Sequence, residues 1–278
     1  MKKNILGYCL LLVAVLLASC SKKNNSADAA TQDTQQTDAN GNYKDTVVWA
    51  QSADVTSMDP HIGKETAAVT VTCNIFSTLM QVIGDGDPQP LLAESYQQLN
   101  DKDWEFTIRQ GVKFHNGETM TADDVVFSYA HAQKDAHMGS YCRPLDHVEK
   151  VDDYTVKIVM NQPFSPIGHM LHKVKIMSKK GVEELGNDFG KVPNKVGTGP
   201  YMWDENNYNP LSSWSAVAFE DYHRGKAKIE KITWNVIADD TSAITALQNG
   251  ELDYMVVPIS YWEDIKASNK FNCVEKES

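Results

Sequence analysis

The stretch that most constrains the fold is WEFTIRQGVKFHNGETMTADDVVFSY, residues 104–129. Its start alternates strictly, so that Trp104, Phe106 and Ile108 would share one face of a half-buried strand. Asn116-Gly117 then favours positive φ and predicts a turn. A strand, a turn and a helix start in such close succession indicate a chain that mixes both kinds of secondary structure.

The acidic residues of this stretch are interpreted as a helix start and not as an active site. Thr121 precedes Asp123 and Asp124 in the arrangement of an N-cap with acidic residues in the first turn, close to a capping box. Neighbouring carboxylates on a helix point in different directions, which is poor geometry for shared acid–base chemistry. His115 is predicted to be a surface or hydrogen-bonded histidine.

Further periodic segments support an α/β fold of the mixed α+β type. Tyr154 to Met160 alternates like the first strand. In residues 66–80, Val69, Cys73, Phe76 and Met80 recur at helical spacing and predict one apolar face. The remaining predicted elements are a strand over 43–51, a helix-like segment over 177–190, a helix over 240–250 and a strand over 252–257.

The N-terminus is typical of an exported protein. Lys2 and Lys3 precede the apolar run Ile5–Ala18, which is shorter than the ~20 residues of a membrane span and fits a cleaved signal. Leu17-Ala18-Ser19-Cys20 resembles the lipobox of bacterial lipoproteins, which implies that Cys20 carries a lipid; an ordinary signal with a chance cysteine is the alternative. The polar tract 21–42 has no large apolar residue and is expected to be a flexible tether.

Charge and cysteine content exclude several functions. The formal net charge of −11 argues against nucleic acid and against an anionic membrane surface as partners. Cys73, Cys142 and Cys273 are far apart and odd in number, so one disulfide and three buried free thiols both stay open. No zinc-type spacing is present among them.

No enzyme or cofactor motif is evident. The chain has no GxSxG, HExxH or Walker loop, and Gly197-Thr198-Gly199 is followed by Pro200, which breaks a phosphate-binding nest. His169 and His172 have the i, i+3 spacing of a metal pair, but prolines lie just upstream and no third ligand is apparent. We therefore expect no catalytic activity, no cofactor and no metal.

Four stretches, in order, resemble the family 5 extracellular solute-binding proteins, the peptide- and nickel-binding lipoproteins of ABC importers. Residues 104–129 look like the family's signature, and Ser57-Met58-Asp59-Pro60-His61 is similar to its early Asp-Pro-His turn. Residues 196–201 (VGTGPY) resemble its Gly-Thr-Gly-Pro-Tyr motif. Residues 222–225 (YHRG) through 246–253 (ALQNGELD) resemble its unit with the "ALxxGExD" ending.

The resemblance covers residues 43–278 and implies a type II periplasmic-binding-protein fold. Lobe one would comprise residues 43–75 and 190–278, and lobe two, residues 76–189, would be inserted into it. It also implies an oligopeptide ligand, ABC permease subunits as partners, a monomer, and an extracytoplasmic location with the lipid on Cys20 as membrane anchor. Peptide-binding relatives add the ligand as a strand just after the Asp-Pro-His turn. The residues that this implies as ligand contacts are Lys64, Glu65 and Thr66, with Tyr141 and Tyr254 as cleft aromatics.

Family members carry a third lobe after the "GExD" unit, and the sequence ends at Ser278, close to where that lobe would begin. The expectation is therefore a fragment or an early stop that contains lobe two and most of lobe one. Nickel chelates and other small solutes stay open as ligands. A structural lipoprotein that binds nothing is the remaining alternative.

Overall fold

The computed structural model describes residues 44–63 and 65–275. Residues 46–255 form one compact unit. The described part of a second unit consists of residues 44–45 and 256–275 and contains one helix. The first twenty residues, the tether and Lys64 lie outside the described residues.

The described strands of the large unit are two to nine residues long. They are β1 (Thr46–Gln51), β2 (Met80–Gln81), β3 (Gln89–Pro90), β4 (Ala93–Gln98), β5 (Asp103–Ile108), β6 (Leu145–Asp152), β7 (Thr155–Met160), β8 (Tyr201–Asn209), β9 (Ser213–Ala218) and β10 (Lys231–Val236).

The helices alternate with these strands along the chain. They are α1 (Thr66–Ile75), α2 (Ala122–Lys134), α3 (Met138–Tyr141), α4 (Ile167–Leu171), α5 (Lys179–Leu185), a 3₁₀ turn (Gly186–Asp188), α6 (Asp240–Gln248) and, in the second unit, α7 (Ile259–Ala267).

The strands assemble into two four-stranded sheets and a small ribbon. The first sheet has the order β1-β10-β9-β8, in which β1 runs parallel to β10 and the other neighbours are antiparallel. The second sheet, β4-β5-β7-β6, is antiparallel throughout. The ribbon pairs β2 with β3. The predicted mixed α+β class is confirmed.

Each sheet has its own hydrophobic core. The core of the second sheet draws on residues between Leu79 and Ile176, including Phe106 and Ile108, which are fully buried. The core of the first sheet draws on chain segments from both sides of that range, and Trp203, Trp214 and Trp234 are packed at its centre. Along the chain, the residues of the second core are therefore flanked on both sides by residues of the first core.

The predicted strands β5 and β7 and the turn between β5 and α2 are confirmed. Phe106 and Ile108 face the core while Trp104 is partly buried. Gly117 has a φ of +86°, and its N–H donates to the Phe114 carbonyl oxygen at 2.9 Å, which closes the turn. Helix α2 begins after Thr121, as its capping pattern predicts.

The predicted apolar face of the first helix is wrong. Val69 and Cys73 are exposed, and the buried residues are small or β-branched: Ala67, Ala68, Val71, Thr72 and Ile75. Both sets have helical spacing, and the prediction favoured the larger side chains. The helix also ends at Ile75, because Phe76 adopts an extended conformation and Met80 lies in β2.

Two further segments differ from the prediction. The helix expected over 177–190 is shorter and ends at Leu185, where Gly186 with a φ of +50° and a 3₁₀ turn follow. The strand expected over 252–257 does not form; a single bridge joins Tyr254 to Trp49, and the chain then continues towards Pro258. Helix α6, by contrast, is confirmed, with Asp239 as its N-cap.

The three cysteines of the described residues are free. This agrees with the alternative of three buried free thiols in their redox state but not in their burial. Cys142 is buried, whereas Cys73 is exposed and Cys273 is partly exposed. Within residues 44–63 and 65–275, we find no helix with the length and apolar character needed to cross a membrane.

Phe106 provides a test of the second core. We expect Phe106→Ala to lower the free energy of unfolding by about 3–5 kcal/mol, because the ring is fully buried and its loss leaves a cavity. Val151→Ala is the matched control, since Val151 is exposed and should change stability by less than about 1 kcal/mol. Chemical denaturation measures both, and equal losses would mean that the buried face of β5 is misassigned.

Candidate functional site

The Asp-Pro-His turn precedes the segment that was predicted to contact ligand. The Asp59 carboxylate accepts a hydrogen bond from the His61 main-chain N–H at 2.9 Å, and the Asp59 N–H donates to the Ser57 hydroxyl at 3.1 Å. The Met58 N–H donates to the Gly190 carbonyl oxygen. The turn is therefore held by its own side chains and by a segment more than a hundred residues away.

Two histidines link this turn to the second core. The second carboxylate oxygen of Asp59 lies 2.8 Å from Nε2 of His131, on helix α2. His61 is fully buried, and its Nε2 accepts the Lys175 main-chain N–H at 3.1 Å. Burial lowers the pKa of His61 to about 4, so its ring is neutral near pH 7.

Asp59, His61 and His131 place three donor atoms within 4.8 Å of one another, which is the spacing of a metal site. The tautomer argues against coordination by His61. A neutral imidazole has a single lone pair, and on His61 that lone pair already accepts the Lys175 N–H. We therefore interpret the Asp59–His131 contact and the hydrogen bond from the Lys175 N–H to the His61 ring as polar contacts that fix the turn.

The segment after the turn is exposed and partly extended. Glu65 is the N-cap of α1, with φ −68° and ψ 146°, and Thr66 is the first helical residue; both are exposed. The Glu65 carboxylate accepts the Thr56 hydroxyl at 3.0 Å. The first N–H groups of any helix have no intrahelical acceptor, so this end of α1 can offer main-chain donors to another molecule.

The two predicted cleft aromatics have different surroundings. Tyr254 is half-buried, with its ring centroid 4.1 Å from that of Trp49, and its carbonyl oxygen accepts the Ala50 N–H. Tyr141 is 46% exposed at the end of α3, and its ring contacts His137. The structure thus joins Tyr254 to β1 and Tyr141 to the helices that cover the second sheet, while Lys64 lies outside the described residues.

The Gly-Thr-Gly-Pro-Tyr motif joins the two cores through main chain. The Gly199 N–H donates to the Ile75 carbonyl oxygen at 2.9 Å, at the end of α1. The His115 N–H donates to the Gly197 carbonyl oxygen at 2.9 Å, and its ring Nε2 lies 3.1 Å from the Gly199 carbonyl oxygen. A Cβ atom at Gly197 or Gly199 would overlap main-chain atoms of α1, so only glycine fits.

His115 is thus hydrogen-bonded, as one of the two predicted alternatives has it, but it is buried and not on the surface. Burial lowers the pKa of its imidazole to about 4, against a smaller opposing effect of the Gly199 hydrogen bond. The neutral ring therefore donates from Nε2 to the carbonyl oxygen. The His115 side chain therefore has a structural role and is not accessible to solvent.

The acidic pair at the start of α2 is structural. The Asp124 carboxylate accepts the Thr121 N–H at 2.8 Å and the Lys179 N–H at 2.9 Å, which ties the starts of α2 and α5 together. Burial raises the pKa of Asp124. Asp123 is exposed and pairs with Lys150 at 2.7 Å.

His131 and Lys175 were not recognised from the sequence. Both act on the turn from more than seventy residues away, and neither lies in a motif with fixed spacing. The signal that was available is the turn itself, because a buried aspartate and histidine need hydrogen-bond partners.

Comparison with known proteins identifies the fold and the family of this chain. The described sheets and helices match type II periplasmic binding proteins. The family model "Bacterial extracellular solute-binding proteins, family 5 Middle" matches residues 87–278. The chain belongs to this family, whose members are binding proteins.

Curated relatives and solved structures agree with that assignment. Glutathione-binding protein GsiB of Salmonella paratyphi A is 32% identical over 227 residues, which cover 78% of this chain and 43% of the relative. The oligopeptide-binding protein AppA of Bacillus subtilis, solved with a nonapeptide, aligns with a TM-score of 0.73 at 26% identity and covers 82% of this chain and 46% of AppA.

The solute-binding protein MoaA of A. tumefacien R10, solved with mannopinic acid, aligns with a TM-score of 0.75 at 29% identity, over 82% of this chain and 48% of MoaA. The chain therefore spans about half the length of the relatives that it matches.

Gly197 provides a test of the junction between the cores. We expect Gly197→Ala to destabilise the protein by about 3 kcal/mol, because the added methyl group meets a main-chain carbonyl that cannot rotate away. Thr198→Val is the control. The Thr198 hydroxyl is buried and has no hydrogen-bond partner among the described residues, so an isosteric apolar side chain should cost less than about 1 kcal/mol. Thermal unfolding of both variants measures the difference, and an unaffected Gly197→Ala would contradict the close approach.

Proposed function

We propose that this chain captures extracellular peptides for an ABC importer and delivers them to a membrane permease. The observation that carries the proposal is the exposed segment Glu65-Thr66, which follows a turn fixed by Asp59 and His61. Family membership supplies the context. A rigid turn followed by accessible main chain is suited to hold an extended peptide in one register.

The contact would consist mainly of main-chain hydrogen bonds. Lys64 and the extended Glu65 would pair with the peptide as an added strand, and the N–H of Thr66, at the start of α1, would donate to a further carbonyl oxygen of the ligand. The carboxylate of Glu65 already accepts the Thr56 hydroxyl, so side-chain recognition at this position is limited. Tyr141 and Tyr254 stay proposed as aromatic contacts, with packing against Trp49 as the structural role of Tyr254.

We also propose the division into two lobes, with residues 43–75 and 190–278 in lobe one and 76–189 in lobe two. Two separate hydrophobic clusters support this division. One includes residues from Leu79 to Ile176, and the other uses residues on either side of that range. The change of cluster between Phe76 and Leu79 supports the boundary at 76, whereas Met177 and Val182 already pack in the cluster of lobe one, before the proposed boundary at 190.

A different small solute is the second candidate ligand. Relatives of similar identity carry names or bound molecules that range from glutathione to mannopinic acid and a nonapeptide. A nickel chelate or another small solute is therefore the alternative that the same fold could serve. The main-chain site favours peptides because the N–H groups at the start of α1 can donate to carbonyl oxygens of an extended peptide.

The location that we propose is extracytoplasmic, with a monomeric chain anchored to the membrane by a lipid on Cys20. The support is the sequence Leu17-Ala18-Ser19-Cys20 followed by the polar tract 21–42. Both segments lie outside the described residues.

The peptide proposal is tested at Thr66. In Thr66→Pro the main-chain N–H is lost, while proline is tolerated at the first position of a helix and the extended Glu65 suits a following proline. We expect the affinity for a pool of tri- to pentapeptides at millimolar concentration to fall about fivefold, the equivalent of one hydrogen bond of ~1 kcal/mol. Amide NMR shifts of Glu65 and Ala67 report the binding.

Thr66→Ala is the matched control, because it keeps the N–H and changes only the side chain. It should bind peptide like the wild type. If the nickel–histidine complex and not the peptide pool shifts these amides, the second candidate is favoured. If neither probe shifts them, the proposed position of the site is wrong.

The anchor is tested by labelling. Radiolabelled palmitate should enter the wild-type chain expressed in bacteria and should not enter Cys20→Ala, since the thiol is the proposed attachment point. Cys9→Ala, which alters the other cysteine of the N-terminal stretch, should still be labelled. Label retained in Cys20→Ala would rule out this residue as the attachment point.

A further inference from the structure

Two of the chain's three arginines are held by neighbouring residues of the β2–β3 ribbon and the residue after it. The sequence has Arg109, Arg143 and Arg224 as its only arginines, against a formal net charge of −11. Arg109 follows strand β5, and Arg224 follows His223 in the loop after β9. Both arginine charges act on the half-buried His223. A local concentration of guanidinium groups is unusual for so acidic a protein.

Each guanidinium is oriented by contacts on one side. Nε of Arg109 donates to the Leu91 carbonyl oxygen at 2.8 Å. Arg224 donates from Nη1 to the Gln81 side-chain oxygen at 3.2 Å and from Nη2 to the Pro90 carbonyl oxygen at 3.1 Å. All these acceptors are neutral oxygens of the β2–β3 ribbon and the residue after it.

Neither arginine forms an ion pair within residues 44–63 and 65–275, and the Nη groups of Arg109 have no hydrogen-bond partner there. Their charge is therefore uncompensated. Arg109 and Arg224 are positioned by neutral oxygens and have no carboxylate partner, so their N–H groups can bind an anion.

His223, which precedes Arg224 in the chain, has unused hydrogen-bonding capacity. Both ring nitrogens are buried, and neither has a partner among the described residues. Burial, with smaller contributions from the positive charges of Arg224 and Arg109, lowers the pKa of His223 to about 4. Its neutral ring carries one N–H donor, which is buried beside two cations with nothing to accept it.

The carboxylates of the same loop do not neutralise the arginines. Asp221 pairs with Lys113 at 2.7 Å, and Glu220 pairs with Lys226 at 2.6 Å. Lys226 also pairs with Glu230 at 2.8 Å. These acidic side chains are each engaged by lysine, so the positive charge at Arg109 and Arg224 is available to a ligand.

We propose that Arg109, His223 and Arg224 form a binding site for a small oxyanion. Planar guanidinium groups bind carboxylate and phosphate oxygens with paired N–H donors, which a lysine cannot match. A phosphate or sulfate ion would accept N–H donors from both arginines, and its charge would act on the buried His223 ring beside them. A carboxylate offers the same chemistry with fewer oxygens. This site is separate from the proposed peptide segment and does not depend on it.

Inorganic phosphate is the probe, titrated into the purified chain at constant ionic strength with sodium chloride as the balancing salt. We expect saturable shifts of the His223 ring signals in NMR spectra and a rise in the pKa of His223, because the anion favours the imidazolium form. Sulfate should compete. If acetate competes as strongly as sulfate, the site recognises carboxylates as well, and the oxyanion class stands.

Arg143→Gln is the matched control, since the Arg143 side chain lies in another loop. Arg109→Gln and Arg224→Gln should each weaken phosphate binding about tenfold or more, and Arg143→Gln should leave it unchanged. Arg224→Lys retains the charge but not the paired donors, so its phosphate affinity should lie between those of the wild type and Arg224→Gln. This variant keeps the test valid if a glutamine variant unfolds. Absence of saturable shifts in the folded wild type, or equal loss in Arg143→Gln, would overturn the proposal.

Discussion

The contact on which the other features depend is the approach of the Gly197–Gly199 main chain to the end of helix α1. The two segments share the Gly199 to Ile75 hydrogen bond, and a side chain at either glycine would separate them. His115 completes the contact from the turn between β5 and α2. One short glycine segment therefore brings together pieces of both hydrophobic cores, which are built from distant parts of the chain.

Because α1 is held at its C-terminal end by this contact, its N-terminal end has a defined position. That end follows the Asp-Pro-His turn, which is fixed by His131 and by the Lys175 N–H. The helix is thus restrained at both ends by main-chain and buried polar contacts, while Glu65 and Thr66 stay exposed. Rigid support beneath an accessible segment is what preorganised binding requires, because little entropy is lost when a ligand pairs with it.

The sequence predicts those parts of the fold that local forces decide. Strands β5 and β7 and the start of α2 follow from alternation and capping within a few residues. The buried face of α1 cannot be predicted in this way. The set of residues that includes Val69 and the set that includes Ala68 have equally regular helical spacing, and only the surrounding core determines which set is buried. Residues 252–257 are apolar enough for a strand but make only one bridge, to Trp49. The Asp59–His131 contact joins residues 72 positions apart and has no local signature.

The proposed peptide segment also shows how much affinity such a site can supply. A main-chain hydrogen bond that stays open to water contributes ~1 kcal/mol, and association costs at least ~4 kcal/mol. Three such bonds from residues 64–66 therefore fall short of that cost. Side chains add little here, since Glu65 is already engaged by Thr56. Tight binding would require the peptide to be enclosed, so that the same hydrogen bonds form away from water and apolar surface is buried as well. The exposed segment can then set the register of the ligand, and affinity and selectivity must come from whatever covers it.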